Sequence, residues 1–415
     1  MKKVILKTIG FFLLPFSLLL SSLLALATFV LLTYVFNSII LLSGIGLLVF
    51  IFINFLLSKL CAYLLSVKNK KRFTKMFIGI FIALFIIFSV FVLFNPMEFP
   101  DSSATETINT KYWNLPNGLN ISYESSIAND TTKAYPVIWL HGGPATPGGI
   151  PGFGGQPGTK PLDQLSIDGY DVYHYHQLGC GLSSRLSDPS EYTFSQHISD
   201  LEEIRKQIKA EKIILIGQSF GATMAAKYLA DYPERVHKII FESPGPIWSP
   251  AYEEVFDPVA VENTPPERKE GWRKITQNPR FLLWYFLANT NPLVAYKFMG
   301  DEECDGIGMV QLAGLPSPLH NESIELTIKG ATFYSFLFTV FDESSSTDYR
   351  NELRNLNTPA LILRGQYDFI KTDIADEYLN ILPNAKLLNI DDAGHLIQIE
   401  QAETYLNAVR AFLEE

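Results

Sequence analysis

The sequence predicts an α/β fold with a mostly parallel sheet and an inserted helical cap, preceded by three transmembrane helices. Two patterns lead to this prediction. Short apolar segments alternate with helical patterns over much of residues 111–415, and long apolar stretches fill most of residues 1–97. Alternation of strands with helices is typical of parallel sheets covered on both faces. The chain is therefore expected to combine a membrane domain with a large folded domain.

The membrane domain, residues 1–97, is predicted from three stretches: Ile9–Phe36, Ile39–Val67 and Phe77–Phe94. Each approaches or exceeds the roughly 20 residues that a helix needs to cross a bilayer. For the first stretch, a cleaved signal peptide is the alternative, because Ala25-Leu26-Ala27 resembles a processing site. The stretch runs on without a break, however, and a signal core has only about 7–15 residues. We therefore expect three spans, with lipid contact over residues 9–94.

Basic residues set the predicted orientation. Residues 1–100 carry nine Lys or Arg and one acidic residue, whereas the remainder carries 24 basic and 42 acidic residues. Most of the cations at the amino end lie at Lys2, Lys3 and Lys7 and in the segment 68–75 between the second and third spans. Because short cytoplasmic segments are enriched in Lys and Arg, both segments should be cytoplasmic. Three crossings then place the large domain outside the cytoplasm of a multi-pass cell-membrane protein.

Composition also bears on cofactors and partners. The acidity of the large domain disfavours nucleic-acid binding, which depends on cations that contact phosphate. The histidines lack the close spacing of metal ligands and no phosphate-binding loop is evident, so neither a metal nor another cofactor is expected. Cys180 and Cys304 fall outside the predicted spans, where the compartment permits a disulfide but their spacing does not decide whether one forms.

A polar, acidic linker over residues 98–110 precedes the large domain. Its core is predicted in two parts, residues 111–246 and 356–415, with Asn117-Gly118 marking an antiparallel start. Six short apolar segments have the pattern of buried strands: Tyr135–Leu140, Tyr170–Tyr175, Lys212–Ile216, His237–Phe241, Ala360–Leu363 and Lys386–Ile390. Four segments have helical patterns: Ser195–Lys209, Phe220–Asp231, Asp373–Leu382 and Ala402–Glu414.

The alternation stops after Phe241, and residues 247–355 are predicted to form the helical cap. This segment is rich in aromatic residues, prolines and acids, and it lacks a regular strand period. The aromatic stretch Phe281–Phe286 favours cap core over a substrate-binding surface. An insertion that returns to the sheet here can line the cleft over the carboxyl ends of the strands.

Ser219 is the candidate nucleophile. It lies in Gly217-Gln218-Ser219-Phe220-Gly221, directly after a predicted strand and before a predicted helix. A G-x-S-x-G sequence in this context forms a sharp turn that projects the serine hydroxyl above the sheet. Glycine and serine also mark ordinary turns, and the flanking strand and helix favour the nucleophile.

A serine nucleophile needs a base, and the base needs an acid that orients it. His395 is the candidate base, because Ala393-Gly394-His395 follows the last predicted strand. Asp368 is the candidate acid, because it emerges in the same way from the strand Ala360–Leu363. Glu242, at the end of an earlier strand, is the alternative acid. Asp391 and Asp392 are nearer to His395 in sequence and are expected to be solvated.

Stabilisation of the oxyanion requires backbone N–H groups that are fixed before the reaction begins. The sequence His141-Gly142-Gly143-Pro144 follows a predicted strand and supplies such a loop. Gly143 and Phe220 are the natural pair of donors, and Gly142 is the alternative to Gly143.

These motifs resemble those of the α/β-hydrolase superfamily and, within it, of the proline iminopeptidase (prolyl aminopeptidase) serine peptidases. The resemblance covers about residues 119–415. Its most specific parts are His141-Gly142-Gly143-Pro144, Gln177–Ser183, Asp200–Arg205 and Tyr232–Val236. These peptidases usually carry Asp-Gln-Arg-Gly where this chain has His176-Gln177-Leu178-Gly179, and Trp is common at the position of Phe220.

The resemblance implies an α/β-hydrolase fold and an aminopeptidase that releases N-terminal proline or small residues from short peptides through an acyl-enzyme. It also implies acidic cap residues that bind the free amine of the substrate, for which Glu302 and Glu303 are candidates. A membrane-associated esterase or lipase that meets apolar substrates at the membrane is the alternative, and the Phe- and Trp-rich cap permits it. A noncatalytic receptor or interaction module is a third hypothesis, against which the order Ser219, Asp368, His395 argues.

Overall fold

A computed structural model of the chain describes residues 1–130, 133–147, 160–321 and 323–415, with the side chain of residue 2 excluded. The chain divides into two compact units. The helical unit comprises Met1–Glu98 and Arg273–Glu303, and the sheet unit comprises Phe99–Trp272 and Cys304–Glu415.

The strands and helices are numbered in chain order. The strands are β1 (Lys111–Asn114), β2 (Asn120–Ser126), β3 (Val137–Leu140), β4 (Val172–Tyr175), β5 (Ile213–Gln218), β6 (Val236–Glu242), β7 (Ala360–Gly365) and β8 (Ala385–Ile390). The α-helices are α1 (Lys2–Leu32), α2 (Ile39–Leu64), α3 (Lys70–Phe88), α4 (Phe194–Gln207), α5 (Phe220–Asp231), α6 (Pro258–Asn263), α7 (Pro266–Thr276), α8 (Pro279–Thr290), α9 (Pro292–Phe298), α10 (Asp301–Gly314), α11 (Phe333–Ser344), α12 (Arg350–Leu353), α13 (Thr372–Ile381), α14 (Ile397–Glu400) and α15 (Ala402–Glu414).

The eight strands form one sheet in the order β1-β2-β4-β3-β5-β6-β7-β8. Strand β2 pairs antiparallel with both β1 and β4, and every other pair is parallel. This arrangement confirms the predicted α/β fold and its antiparallel start. Because β5 to β8 are parallel neighbours, the loops that follow them meet at one edge of the sheet.

The sheet is covered on both faces. Every residue of β3, β5 and β7 is buried, as expected for strands with helices on either side. On one face, Trp139 and Ile216 belong to a core cluster with Tyr405 and Phe412 of α15. Successive strand residues face opposite sides, so Leu215 faces the side on which α5 packs against β5 and β6.

The helical unit contains three helices that are long and apolar enough to cross a membrane: Lys3–Leu32, Ile39–Leu64 and Lys70–Leu93. They overlap the three predicted stretches, and the first and third begin six and seven residues earlier than predicted. The third combines α3 with a π-helical turn, Ser89–Leu93. Helices α1 and α2 pack closely: Asn54 Nδ2 donates to Ser21 Oγ at 2.7 Å, and both side chains are buried. Hydrogen bonds of this kind stabilise pairs of membrane helices by roughly 1 kcal/mol.

Residues 273–303, which lie within the predicted cap segment, group with residues 1–98 in the helical unit. Periodicity identifies the apolar face of a helix but not the element against which that face packs.

Candidate active site

Ser219 lies on the turn between β5 and α5, in a backbone conformation that few non-glycine residues adopt, with φ of 54° and ψ of −121°. Such a conformation costs about 1–3 kcal/mol and persists only where neighbours fix it. Here the Ser219 N–H donates to the Glu242 carbonyl at 2.9 Å, and the Ser219 carbonyl accepts from the Gly245 N–H at 3.0 Å. A Cβ on Gly221 would lie 2.2 Å from the Leu140 carbonyl oxygen. The turn therefore has the geometry that the G-x-S-x-G sequence predicts.

The loop after β3 lies directly against this serine. A Cβ on Gly142 would stand 2.9 Å from the Ser219 Cβ and 2.5 Å from Oε1 of Gln218, so only glycine fits this close approach. Gly143 follows with φ of +119°. Phe220 begins α5, and backbone N–H groups in the first turn of a helix have no acceptor within the helix. The loop and the helix start thus bring backbone donors to the surroundings of Ser219.

Gln177 fixes this loop at both ends. Its side-chain Nε2 donates to the His141 carbonyl at 2.7 Å, and its Oε1 accepts from the Ala145 N–H at 3.1 Å. The Gln177 backbone N–H also donates to Nε2 of His141 at 3.0 Å. Gln177 is fully buried. The sequence places Gln177 in a motif but gives no indication of these bonds, which join residues more than 30 positions apart.

His141 is held in one tautomer. Its Nδ1 lies 2.9 Å from the Gly142 carbonyl oxygen, so Nδ1 carries the proton and Nε2 is left to accept. Burial lowers the pKa of His141 to about 3, which keeps the ring neutral at physiological pH. The imidazole therefore serves as a fixed hydrogen-bonding support for the loop.

His176 occupies the position at which proline iminopeptidases usually carry an aspartate. It supports the turn formed by Gln177–Ser183. Its Nδ1 accepts from the Leu182 N–H at 3.1 Å and lies 2.8 Å from the Ser122 hydroxyl. Ser183 Oγ donates to the His176 carbonyl at 2.6 Å. Burial lowers the pKa of His176 to about 3, so this ring also is neutral. The Gln177–Ser183 turn is thus supported by a histidine in place of the usual aspartate.

His395 and Asp368 form a buried pair. Nδ1 of His395 lies 2.8 Å from Oδ1 of Asp368, and that oxygen also accepts from the Ile370 N–H at 3.0 Å. Burial would raise the pKa of Asp368, but the charge and the hydrogen bond of His395 and the Ile370 N–H together hold it below its usual value. The Phe369 ring stacks on the imidazole at 4.3 Å. This arrangement fixes the tautomer of His395 and leaves its Nε2 to accept a proton.

The loops that carry this pair are bonded to each other and to neighbouring segments. Tyr367 N–H donates to the Ala393 carbonyl at 2.8 Å, and Gly394 N–H donates to Glu400 at 2.6 Å. His395 N–H donates to the Pro318 carbonyl at 2.8 Å. The supporting roles of Pro318 and Glu400 have no signal in the sequence.

Glu242, the alternative acid, has other partners. Its Oε2 accepts from the Tyr405 hydroxyl at 3.2 Å, and it also bonds to Trp139. Burial raises the pKa of Glu242 to about 8, against the weaker opposing effect of these two hydrogen bonds. Glu242 is therefore mostly protonated at neutral pH, whereas Asp368 is ionised beside His395. Asp391 and Asp392 are exposed, as expected.

The predicted amine-binding residues belong to the helical unit. Glu302 is exposed on α10. Glu303 is buried, and Arg280 donates from Nε to Oε1 at 2.7 Å and from Nη2 to Oε2 at 2.6 Å. The Met97 N–H also donates to Oε1 at 3.0 Å. Both Glu303 oxygens are thus occupied by the protein itself, so Glu303 does not fit the predicted amine-binding role.

Cys180 and Cys304 are both buried, and no disulfide joins them. In the part of the chain that the structure describes, no three His, Cys, Asp or Glu side chains are grouped as metal ligands.

Comparison with known proteins places this geometry in context. Residues 135–402 match the family model described as the alpha/beta hydrolase fold. A proline iminopeptidase of Saccharolobus solfataricus is 25% identical over 313 residues, which are 72% of this chain and 90% of that protein. A proline iminopeptidase of Heyndrickxia coagulans is 26% identical over 285 residues, 67% of this chain and 90% of that protein. A solved thermophilic esterase from Thermogutta terrifontis is 19% identical, with a TM-score of 0.46 over 74% of this chain and 98% of that one.

Proposed function

Because the chain belongs to the alpha/beta hydrolase fold family, we propose that it is a membrane-anchored serine hydrolase that releases N-terminal proline or a small residue from short peptides. The observation that carries the hydrolase proposal is the 2.8 Å bond between His395 and Asp368. That bond holds a histidine at the sheet edge where Ser219 occupies its strained turn. The choice of a peptide substrate rests on the similarity to proline iminopeptidases.

In the proposed first step, Nε2 of His395 takes the proton from the Ser219 hydroxyl as Oγ attacks the substrate carbonyl carbon. Asp368 stabilises the imidazolium that forms and keeps its Nδ1 proton in place. The low pKa of Asp368 supports this role, because an ionised carboxylate is the better partner for a cationic ring.

The tetrahedral intermediate carries its negative charge on the former carbonyl oxygen. We assign its stabilisation to the backbone N–H groups of Gly143 and Phe220. Removal of a single donor of this kind typically lowers kcat by about 10²–10³-fold. The bonds of Gln177 to His141 and Ala145 support the assignment, since they fix the loop before substrate binds.

His395 then donates its proton to the leaving amine, the C–N bond breaks, and an acyl-Ser219 ester remains. Water attacks this ester with His395 as the base, and the released amino acid leaves Ser219 free. No step requires a cofactor.

Three apolar helices support the proposal of membrane anchoring. The cations at the amino end and in the segment 68–75 support a cytoplasmic location for both segments. The sheet unit, with the candidate catalytic residues, then belongs outside the cytoplasm.

The test is a hydrolysis panel on the full-length chain in detergent or nanodiscs. Prolyl and alanyl amides are compared with their N-acetylated forms and with short-chain p-nitrophenyl esters. We expect acetylation to lower kcat/KM by at least ~10-fold, because loss of a charge contact to the free amine typically exceeds ~1.4 kcal/mol.

The Ser219→Ala variant is the control for the panel. Its turnover should fall by at least ~10³-fold and its labelling by a fluorophosphonate should vanish, because the attacking oxygen is gone. If esters are hydrolysed far better than every amide and acetylation has no effect, the aminopeptidase proposal fails and a membrane-associated esterase replaces it.

A further inference from the structure

Helix α8 is largely apolar on its exposed face as well as on its buried face; the exposed polar residue Asn289 bonds through its amide to the Tyr285 carbonyl. Leu282, Tyr285 and Phe286 are 44%, 45% and 59% exposed, and their spacing places them on one side of the helix. Trp284 and Leu287 are fully buried on the other side. Surface helices in water carry polar residues on the outer face, and a helix that is apolar all round is normally surrounded by apolar material.

The helix also lacks a free charge. Its one charged residue is Arg280, which is 4% exposed and paired with Glu303. The guanidinium therefore does not require water, and α8 presents no charge on its exposed face. An exposed tyrosine ring, as at Tyr285, is typical of the membrane interface.

Both ends of α8 are bonded to the ends of candidate spans. At its first turn, Arg280 Nη1 donates to the carbonyl of Leu93, where the third span ends. Directly after its last turn, Asn291 Nδ2 donates to the carbonyl of Thr33, which caps the first span. Thr33 Oγ1 also lies 3.2 Å from Thr290 Oγ1.

These two attachments define the direction of α8. The first and third spans cross in the same sense, because the second returns between them, so Thr33 and Leu93 lie at the same side of the three-helix group. Helix α8 has 12 residues and is about 18 Å long. It therefore runs across the ends of the spans, at the depth where a bilayer meets water.

Exposed apolar residues continue from α8 onto the same ends of the spans. Val35 and Phe91 are each 70% exposed, and Tyr34 is 68% exposed. Most exposed side chains in the middle of the spans are also apolar, such as Phe12 at 67%. The face of α8 is thus continuous with the surface that the spans would present to lipid.

We propose that α8 is an interfacial membrane helix whose Leu282, Tyr285 and Phe286 side chains contact lipid at the outer surface of the bilayer. The proposal rests on the proposed membrane anchoring and adds a fourth membrane contact, from an insertion between β6 and β7. The occupant of this face is lipid rather than water or a second copy of the chain.

Site-directed spin labelling of the full-length chain in nanodiscs of phosphatidylcholine and phosphatidylglycerol tests the proposal. Nitroxides are attached to Leu282→Cys and Phe286→Cys. The parent protein, which has no introduced cysteine, is treated with the same reagent to detect any reaction of the three native cysteines, which are buried. Phe12→Cys in α1 is the lipid control. Ile167→Cys in the sheet unit, at a position 83% exposed, is the water control.

We expect collisions of both α8 labels with molecular oxygen to exceed those with a water-soluble nickel chelate, as at Phe12, and the order to be reversed at Ile167. If the α8 labels resemble Ile167 while Phe12 reports lipid, α8 lies in water and the proposal fails although anchoring stands. If Phe12 also reports water, anchoring and the proposal both fail. Dipolar broadening between α8 labels that disappears on dilution with unlabelled protein would assign the face to a second copy and overturn the proposal.

Discussion

The side-chain amide of Gln177 donates to the carbonyl of His141 at 2.7 Å, and its oxygen accepts from the Ala145 N–H. One buried side chain therefore holds both ends of the loop that carries Gly143. Leu178 replaces the Arg that proline iminopeptidases usually carry in this turn. The loop is nevertheless held by Gln177, which the turn retains.

Gln177→Glu replaces the amide donor with an oxygen that cannot donate to the His141 carbonyl when ionised. Because the loop supplies the proposed oxyanion donor, we expect kcat to fall by about 10–100-fold with little change in KM. Steady-state kinetics on the best amide of the panel checks this expectation. Gln164→Glu, at an exposed position of the sheet unit, is the matched control. An unchanged kcat in a folded Gln177→Glu protein would remove the assigned role.

Asp368→Asn tests the acid partner of His395. The amide cannot stabilise the imidazolium and permits the wrong tautomer, so kcat should fall by roughly 10³–10⁴-fold. Glu242→Gln is the matched control for the alternative acid and should retain most of the activity, since Glu242 bonds to Tyr405 and Trp139. The reverse pattern, with Glu242→Gln inactive and Asp368→Asn active, would exchange the two assignments.

Glu242 also predicts a pH dependence of stability. Its pKa rises from 4.5 in the unfolded reference to about 8 in the folded protein because of burial. Between these values the folded state binds more protons than the unfolded state, so stability falls as pH rises from 4.5 to 8. The slope contributed by this group is at most ~1.4 kcal/mol per pH unit.

Glu242→Gln should therefore flatten this part of the stability profile and stabilise the protein most at the alkaline end. Thermal unfolding midpoints in detergent at several values between pH 5 and pH 8 measure the effect. Glu403→Gln, which changes an exposed glutamate, should leave the profile as it is. A profile for Glu242→Gln that is parallel to that of the parent would show that this carboxyl does not titrate as described.

The proposed orientation is tested with cysteines introduced on either side of the membrane. Asp101→Cys should react with an impermeant thiol reagent in intact cells, because it follows the third span. Lys71→Cys should react only after lysis, because it lies between the second and third spans. Protection of Asp101→Cys until lysis would reverse the orientation.

The parts of the fold that depend on local sequence patterns could be predicted from the sequence. Strand and helix patterns predict the sheet, and the sequence around Ser219 predicts its turn, because periodicity and glycine placement act over a few residues. The pairing of Asp368 with His395 was reachable from the sequence because each follows a strand of one parallel sheet. The sheet edge then brings the two together across 27 positions.

The remaining contacts depend on partners that local patterns do not identify. Nothing near Glu303 indicates that Arg280 occupies its carboxylate, and nothing near Gln177 indicates a bond to His141. The apolar faces of α8 are visible in the sequence, but the same pattern suits protein core and lipid. Composition alone therefore does not indicate that residues 273–303 group with the spans.

The separate grouping of residues 273–303 has a consequence for proteolysis. The chain passes between the two units after Glu98, again after Trp272 and a third time after Glu303. A protease that cuts once within residues 98–110 would shed a domain held by one tether, but here two peptide connections survive the cut. A chain shortened to begin at residue 99 would keep Arg280 and Asn291 while losing Leu93 and Thr33, to which they bond. The sheet unit is thus expected to resist shedding from cells. A chain that begins at residue 99 is expected to be poorly soluble, because residues 273–303 lose the partners that Leu93 and Thr33 provide.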